Sequence, residues 1–573
     1  MKFLRIIVFP IIILTLVTSI QSETIESNTT PAIKEEKPIQ PLATWSDGLK
    51  VGGLIRIRPE MKYNYDFNST TNDNVDFTGQ KVQFFIEKEF TKDIHTKITF
   101  QDSRIWGGEK GSITGVSTAN DSTKQSTDVR EAWLEAKNLF DVPISLQAGR
   151  QILNYGDQRL VGGLEWSNVG RSYDGARFKF DEKYLSSHIW AMSVGEKSSD
   201  VGGNNTALGT KNQYGAIYNC PPNAKTKCTG PTPDAPAQEM GDSVFTGFYN
   251  TIKPSEYFHI DLYYLGLQKK YLNTNQALAL TSPNPGTPES RAGRTDIVHT
   301  YGFRLTNKTQ ANSKSLQAFD YALEYATQNG TNGKTIKPGW DSLNQQVDSI
   351  DPLTGNTYKT NIYREKVRYD SHAAAVLAGY TFNKLVRLGA GYEMGSGDPN
   401  RSDGSISTFQ NLFSTNHGIY GIADQVGWVN MIAKSINLTL FMEKFGIFRM
   451  DYYIVNKHKR QDAWYDVTGS IKSGASTESE NNNRYDMTGV YTDLGAGNKR
   501  PSAYLGRSLF REIDLKYSIP YKSINWELGY SIVYGGDAIR NKVNDNTVGS
   551  PNALIDKFSK NAQFAYLMMT YAF

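Results

Sequence analysis

Beyond residue 22 this 573-residue chain holds no apolar run of the length a membrane helix requires, and its apolar residues recur instead at every second position. Isoleucines and arginines alternate in Leu54 to Arg58. Val82, Phe84 and Ile86 oppose Lys81, Gln83 and Glu87, with Phe85 on the polar side. Tyr301, Phe303 and Leu305 oppose Arg304; Phe319, Tyr321, Leu323 and Tyr325 oppose Asp320 and Glu324. Arg387 opposes Val386 and Leu388, and Ile524 to Tyr534 sets Trp526, Leu528, Tyr530, Ile532 and Tyr534 against Asn525 and Glu527. Period two is the mark of strands, whose side chains point alternately to opposite faces.

Alternation alone fits both a soluble sandwich and a membrane barrel. Here the second face carries charge strand after strand, which a dry sandwich core does not tolerate. The final segment places Leu567, Met569, Tyr571 and the terminal Phe573 on one face, the feature by which outer-membrane barrels are recognised for insertion. Long polar stretches at residues 195–241, 272–294, 328–363 and 466–500 suit a barrel's external loops better than a compact soluble domain. Mean hydropathy of −0.49 excludes a helical membrane bundle but not a barrel, whose strands are apolar on one face only. Tyr 33 over Phe 26 suits interfacial girdles, whose rings need a wet tip. The expected fold is all-β: one transmembrane antiparallel barrel with long external loops and short periplasmic turns.

Lys2 and Arg5 precede the apolar run Ile6 to Val17 and a polar exit ending at Ser22, the pattern of a secretory signal. Residues 1–22 are therefore expected to be a signal peptide and 23–44, rich in Pro, Thr and acid, a flexible periplasmic segment. The barrel is expected to span 45–573. Net charge of +4 is too small to imply nucleic acid. Of the two cysteines, Cys220 and Cys228 are expected to close a disulfide within an exported loop.

Several segments in order carry a family resemblance: Ile55 to Glu60, Gln101 to Gly107, Arg130 to Leu134, Ala148 to Gln151, Tyr155 to Leu160, Glu165 to Asn168 and Arg171 to Arg177, then Gly395 to Asn400, Thr408 to Phe413 and Tyr420 to Trp428. From about Leu49 to its end the chain resembles the alginate-export family of outer-membrane porins. The resemblance implies eighteen antiparallel strands in the outer membrane of a double-membraned bacterium. It also implies a pore lined by arginines with a few carboxylates, and an anionic permeant such as a sugar acid or uronate polysaccharide.

A selectivity filter needs fixed charge projecting into a narrow aqueous path, and guanidinium forks suit carboxylate or phosphate solutes. Alternation assigns Arg56, Arg58, Arg177, Lys179, Arg304 and Arg387 to the lumen face. The resemblance adds Arg150, Arg159, Arg171 and Asp174, with Glu131 and Asp174 as neighbouring carboxylates. Other lumen acids, Asp320, Glu324, Glu393 and Glu527, mix with these cations. Asp398 to Gly404 has oxygen ligands near calcium-loop spacing, but its Gly falls one position late and no Glu follows, so it reads as a turn. No P-loop, GxSxG or HExxH pattern supports an enzyme, and no metal or cofactor is expected. Expected partners are outer-membrane lipid, the barrel-assembly machinery through the Phe573 strand, and a charged small or polymeric permeant. The competing reading is a surface adhesion or receptor protein that uses the barrel to anchor its long loops.

Overall fold

The computed structural model describes residues 48–106, 126–195, 239–240, 243–255, 258–272, 294–307, 318–336, 346–350, 357–361, 365–399, 405–460, 462–469, 491–492, 499–500, 506–545 and 557–573. The expected signal and linker and the Cys220–Cys228 disulfide lie outside them.

Eighteen long strands form the wall. They are β1 (Leu49–Tyr63), β2 (Val75–Thr91), β3 (Ile94–Ile105), β4 (Ser126–Ala136), β5 (Ile144–Gln151) and β6 (Tyr173–Asp181). Then follow β7 (Leu185–Gly195), β8 (Ser243–Ser255), β9 (Phe258–Leu272), β10 (Arg294–Thr306), β11 (Phe319–Ile336) and β12 (Glu365–Phe382). The last are β13 (Val386–Gly395), β14 (Met431–Phe441), β15 (Ile447–Lys457), β16 (Ser508–Tyr521), β17 (Ile524–Gly535) and β18 (Asn561–Ala572). Each pairs antiparallel with the next in sequence, as in β1 with β2 and β17 with β18. β18 pairs back onto β1, closing the sheet. Closure leaves no edge of unpaired N–H and C=O groups, which hydrocarbon would not accept.

Both chain ends of the barrel and its short turns, such as 92–93, 383–385 and 522–523, lie at one end; the long connections lie at the other. The polar stretch at 328–363, expected as loop, is partly strand. β11 continues through Ile336, and Gln346–Ile350 pairs with Thr357–Asn361. Alternating residues form the separate strands because each leaves an apolar row outside: Ile436, Leu388 and Leu528 stay at least half exposed there.

The buried apolar residues are not on the outer face but within the barrel. Leu153, Leu160 and Val161, from the β5–β6 connection, and Phe409, Ile422, Val426 and Trp428, from the β13–β14 connection, pack with wall residues Tyr173, Trp190, Met192 and Phe245. Each such side chain removed from water contributes about 1.5–3 kcal/mol, enough to draw two loops inward. Gly247 makes room for this packing: a Cβ there would meet the Trp190 ring at 1.9 Å.

Candidate functional site

The two inserted loops meet in the lumen, and lumen-facing cations hold them. Away from a strand ladder their backbone carbonyls need donors, and arginine supplies five. Arg56 donates to the carbonyls of Glu165 (2.8 Å), Trp166 and Ser167 (both 3.0 Å) and to Asn168 Oδ1 (2.9 Å). Arg58 donates to the Trp166 carbonyl at 2.6 Å and pairs with Glu60 at 2.6 Å. Its guanidinium also lies 3.7 Å over the Trp166 ring. From β2, Lys81 reaches the Glu165 carbonyl at 3.2 Å; from β3, Gln101 and Ser103 donate to Val169 and Asn168 carbonyls. A register shift opposite Thr99 and Phe100 leaves Arg130 as an extra residue in β4. Such bulges re-aim side chains. Arg130 thereby reaches Gly163 O (2.8 Å), Glu165 Oε1 (2.5 Å) and Ser172 Oγ (3.0 Å) while Glu131 also faces the lumen beside Thr99 and Lys97.

Toward the opposite wall the same loop ends in a buried charge network. Arg159 pairs with Asp157 (2.8 Å), Glu393 on β13 (2.7 Å) and Glu324 on β11 (3.5 Å). Arg304 on β10 pairs with Asp157 (2.5 Å) and Asp261 (3.0 Å). Burial disfavours the Asp157 carboxylate, but Arg159 and Arg304 outweigh it and hold its pKa at about 2. Tyr249 donates at 2.8 Å to Asp261 Oδ2, the oxygen Arg304 also binds, and Tyr263 donates at 3.0 Å to Glu324 Oε1, the oxygen Arg159 leaves free.

The loops bind each other as well. Val161 and Phe413 form a parallel bridge. Arg171 donates to the carbonyls of Gly162 (3.1 Å), Ser414 (3.0 Å) and Phe413. His417 stacks on Trp166 at 3.5 Å and pairs with Asp424 at 2.8 Å. Farther along, the N–H groups of Ile422 and Ala423 donate to Asp514 (3.0 Å) and Glu512 (2.9 Å) on β16. Gly421, at φ +108, permits this approach, because a Cβ would lie 2.4 Å from the Glu512 carboxylate.

Beside the junction, Tyr155 stacks between Trp190 and Tyr249, each 4.7 Å away, and Tyr249 stacks on Tyr263 at 5.4 Å. Burial pushes the Tyr155 hydroxyl up to about 12, despite nearby Arg177. Arg177 donates to Gln147 at 2.7 Å and to Tyr155 Oη at 3.4 Å.

Of the residues singled out in the sequence, Arg56, Arg58, Arg159, Arg171 and Arg304 gather at the junction, with Arg177 adjoining. Glu131 and Lys179 face the lumen on the neighbouring wall, Lys179 paired with Glu135. Arg387 stands apart at the short-turn end, bound to Asp320 at 2.7 Å. Arg150 and Asp174 are corrected: they pair in register between Gln147–Arg177 and Gln151–Tyr173, whose side chains face inward. Strand parity therefore turns both outward, where Arg150 meets Asp174 (3.3 Å) and Asp128 (3.4 Å) near the long-loop rim. Residues 398–399 of the turn-like motif are described, and the Asp398 N–H donates to Asp462; 400–404 lie outside the described residues. Sequence reasoning missed Lys81, Arg130, Asp157, Glu165, Trp166, His417, Glu512 and Asp514 as members of one site. The available signal was the unusual density of large apolar residues in the two loops that these residues belong to or hold.

A family model described as alginate export matches residues 47–194 and 232–549. No curated protein matches the chain. Similar solved structures include three from Pseudomonas aeruginosa. The outer membrane protein OprD is 8% identical, with 92% of this chain and 93% of that chain covered and a TM-score of 0.43. OccK8 (OprE) is 12% identical, covering 92% and 98%, with a TM-score of 0.45. OccK11 (OpdR) is 9% identical, covering 91% and 95%, with a TM-score of 0.44.

Proposed function

The chain belongs to the alginate export family and is an outer-membrane β-barrel channel, and from that premise we propose that it passes anionic solutes, sugar acids or uronate chains, along one side of its lumen. The observation that carries this reading is an uneven division of charge. On the β1–β6 side Arg56, Arg58, Lys81, Arg130, Arg171 and Arg177 gather around the inserted loop, and among the described residues the carboxylates they pair with are Glu60 and Glu165, while nearby Lys97 and Lys179 pair with Glu131 and Glu135. Toward β9–β16, by contrast, the acids Asp157, Asp261, Glu324 and Glu393 surround Arg159 and Arg304, Glu512 and Asp514 meet loop N–H groups, and Arg387 and Arg449 are each paired with an aspartate, Asp320 and Asp451. A low-dielectric wall focuses such a field, and an anion follows the basic side.

Arg56 and Arg171 bind neutral loop acceptors, and Arg177 binds a glutamine and a tyrosine. A permeant carboxylate offers them stronger, charge-assisted and bidentate bonds, so exchanging partners favours entry. The narrowed junction brings the solute within reach of these groups, as a filter requires. The outward terminal row ending in Tyr571 and Phe573, with Phe573 56% exposed, supports delivery to the membrane by the barrel-assembly machinery.

The test is the reversal potential of the purified protein in a planar bilayer under a salt gradient. Anion preference that falls when Arg56, Arg58 and Arg177 are replaced together by Gln supports the reading. Cation preference in the unaltered protein overturns it.

A further inference from the structure

The outer surface carries a second charged feature. On β14 the outward row reads Ile432, Lys434, Ile436, Leu438, Leu440; on β16 it reads Arg511, Ile513, Leu515, Tyr517, Ile519. Lys434 is in register with Ile454 of β15, and Ile454 with Arg511. The two cations therefore flank one isoleucine, two strand spacings or ~10 Å apart. Both are exposed. Tyr392 lies in register beyond Lys434 and Tyr534 beyond Arg511.

Neither cation makes an ion pair among the described residues. Two other outward arginines do: Arg104 binds Asp102 at 2.5 Å, and Arg150 meets Asp128 and Asp174. An unpaired cation on a lipid-facing wall is disfavoured in hydrocarbon and accepted at the headgroup level. Arg511 lies about ten residues from Tyr521 at the short-turn end of its strand, the length of one tilted membrane crossing, which sets it at the far interface. Lys434 lies seven residues from Phe441 at the short-turn end of its strand, and its four-carbon stem lets the ammonium reach the same boundary. Flanking tyrosines suit the same boundary.

We propose that Lys434 and Arg511 form a docking site for the phosphate headgroup of an anionic lipid in the external leaflet, with its acyl chain seated along Ile436 and Ile454. Charge complementarity selects the headgroup, and the exposed Ile436, at 60%, supplies the apolar seat. The site is independent of the permeant.

The experiment uses the full chain in nanodiscs of equal phosphatidylglycerol and phosphatidylcholine, with native mass spectrometry of the lipid that stays bound. The unaltered protein retains phosphatidylglycerol preferentially. K434Q and R511Q each reduce that preference roughly 5-fold, and the double variant roughly 30-fold. R511K, which keeps the charge, preserves most of it, so the singles and R511K decide the question if the double variant does not assemble. Equal retention of the two lipids by the unaltered protein overturns the site, as does a full preference surviving in the folded double variant. Displacement by inorganic phosphate alone, or a dimer that only the unaltered protein forms without bound lipid, assigns the cations elsewhere and overturns it too.

Discussion

Arg58 and Trp166 join the barrel wall to the inserted loop: the guanidinium lies 3.7 Å over the indole, and His417 covers the ring at 3.5 Å. Two groups so close to one ring occupy opposite faces, so Trp166 is clamped between β1 and the second loop. A partly desolvated cation–π contact is worth about 2 kcal/mol. Trp166→Ala is expected to release the 163–169 segment and raise single-channel conductance, with noisier current. Unchanged conductance in a folded variant means that this segment does not narrow the path.

Arg159 holds a different kind of junction. Its partners Glu393 and Glu324 are almost fully buried, with side-chain exposures of 2% and 7%. Removing the cation strands them, and breaking a buried ion pair from one side costs about 3–5 kcal/mol. Arg159→Met should therefore lower the melting temperature of the detergent-solubilised barrel well beyond the effect of Glu393→Gln. Equal losses would show that the carboxylates are solvated.

The wall was legible in the sequence because parity is a local property. Arg56 and Arg58 inward with Ile55 and Ile57 outward needs only five residues of alternation, and the row from Trp526 to Tyr534 reads as it folds. The lumen junction was not legible, because period says nothing about which way a connection turns. Leu160, Val161, Phe409, Phe413 and Trp428 are poor candidates for solvated loop and mark the inward fold in retrospect. Arg130 was hidden for another reason: a one-residue bulge shifts parity without leaving any trace in composition. Arg150 and Asp174 failed where motif likeness outranked parity.

Acidity should loosen one loop in a defined window. His458 sits just beyond β15, and its Nδ1 accepts the Gly397 N–H at 3.1 Å, so the bond needs the neutral ring. Burial first, then Lys459, His372 and Arg507, lowers its pKa from 6.5 to about 4. The folded state thus resists a proton that the unfolded chain accepts. Its contribution is complete above pH 6.5, declines as pH falls toward 4, and changes no further below that. Asp157 behaves in a separate window: with its pKa depressed from 3.8 to about 2, its contribution is complete above 3.8 and disappears as pH falls through 2. Melting temperature followed from pH 8 to 4 should fall through the histidine window, and His458→Gln should flatten that part of the curve. An unaltered slope in the variant assigns the titration to another group.

Arg177 offers the cleanest separation of permeation from stability. Its hydrogen bonds go to neutral groups, Gln147 Oε1 and Tyr155 Oη, so Arg177→Gln leaves no carboxylate stranded. Loss of ordinary hydrogen bonds costs about 1 kcal/mol, far less than the Arg159 substitution. The basic side nevertheless loses a charge that makes no ion pair among the described residues. The expected result is a near-normal melting temperature with a reversal potential shifted toward cations, and a larger shift at low ionic strength, where the field reaches farther. A folded variant whose reversal potential matches the unaltered protein at every salt concentration would place the permeation path away from β6.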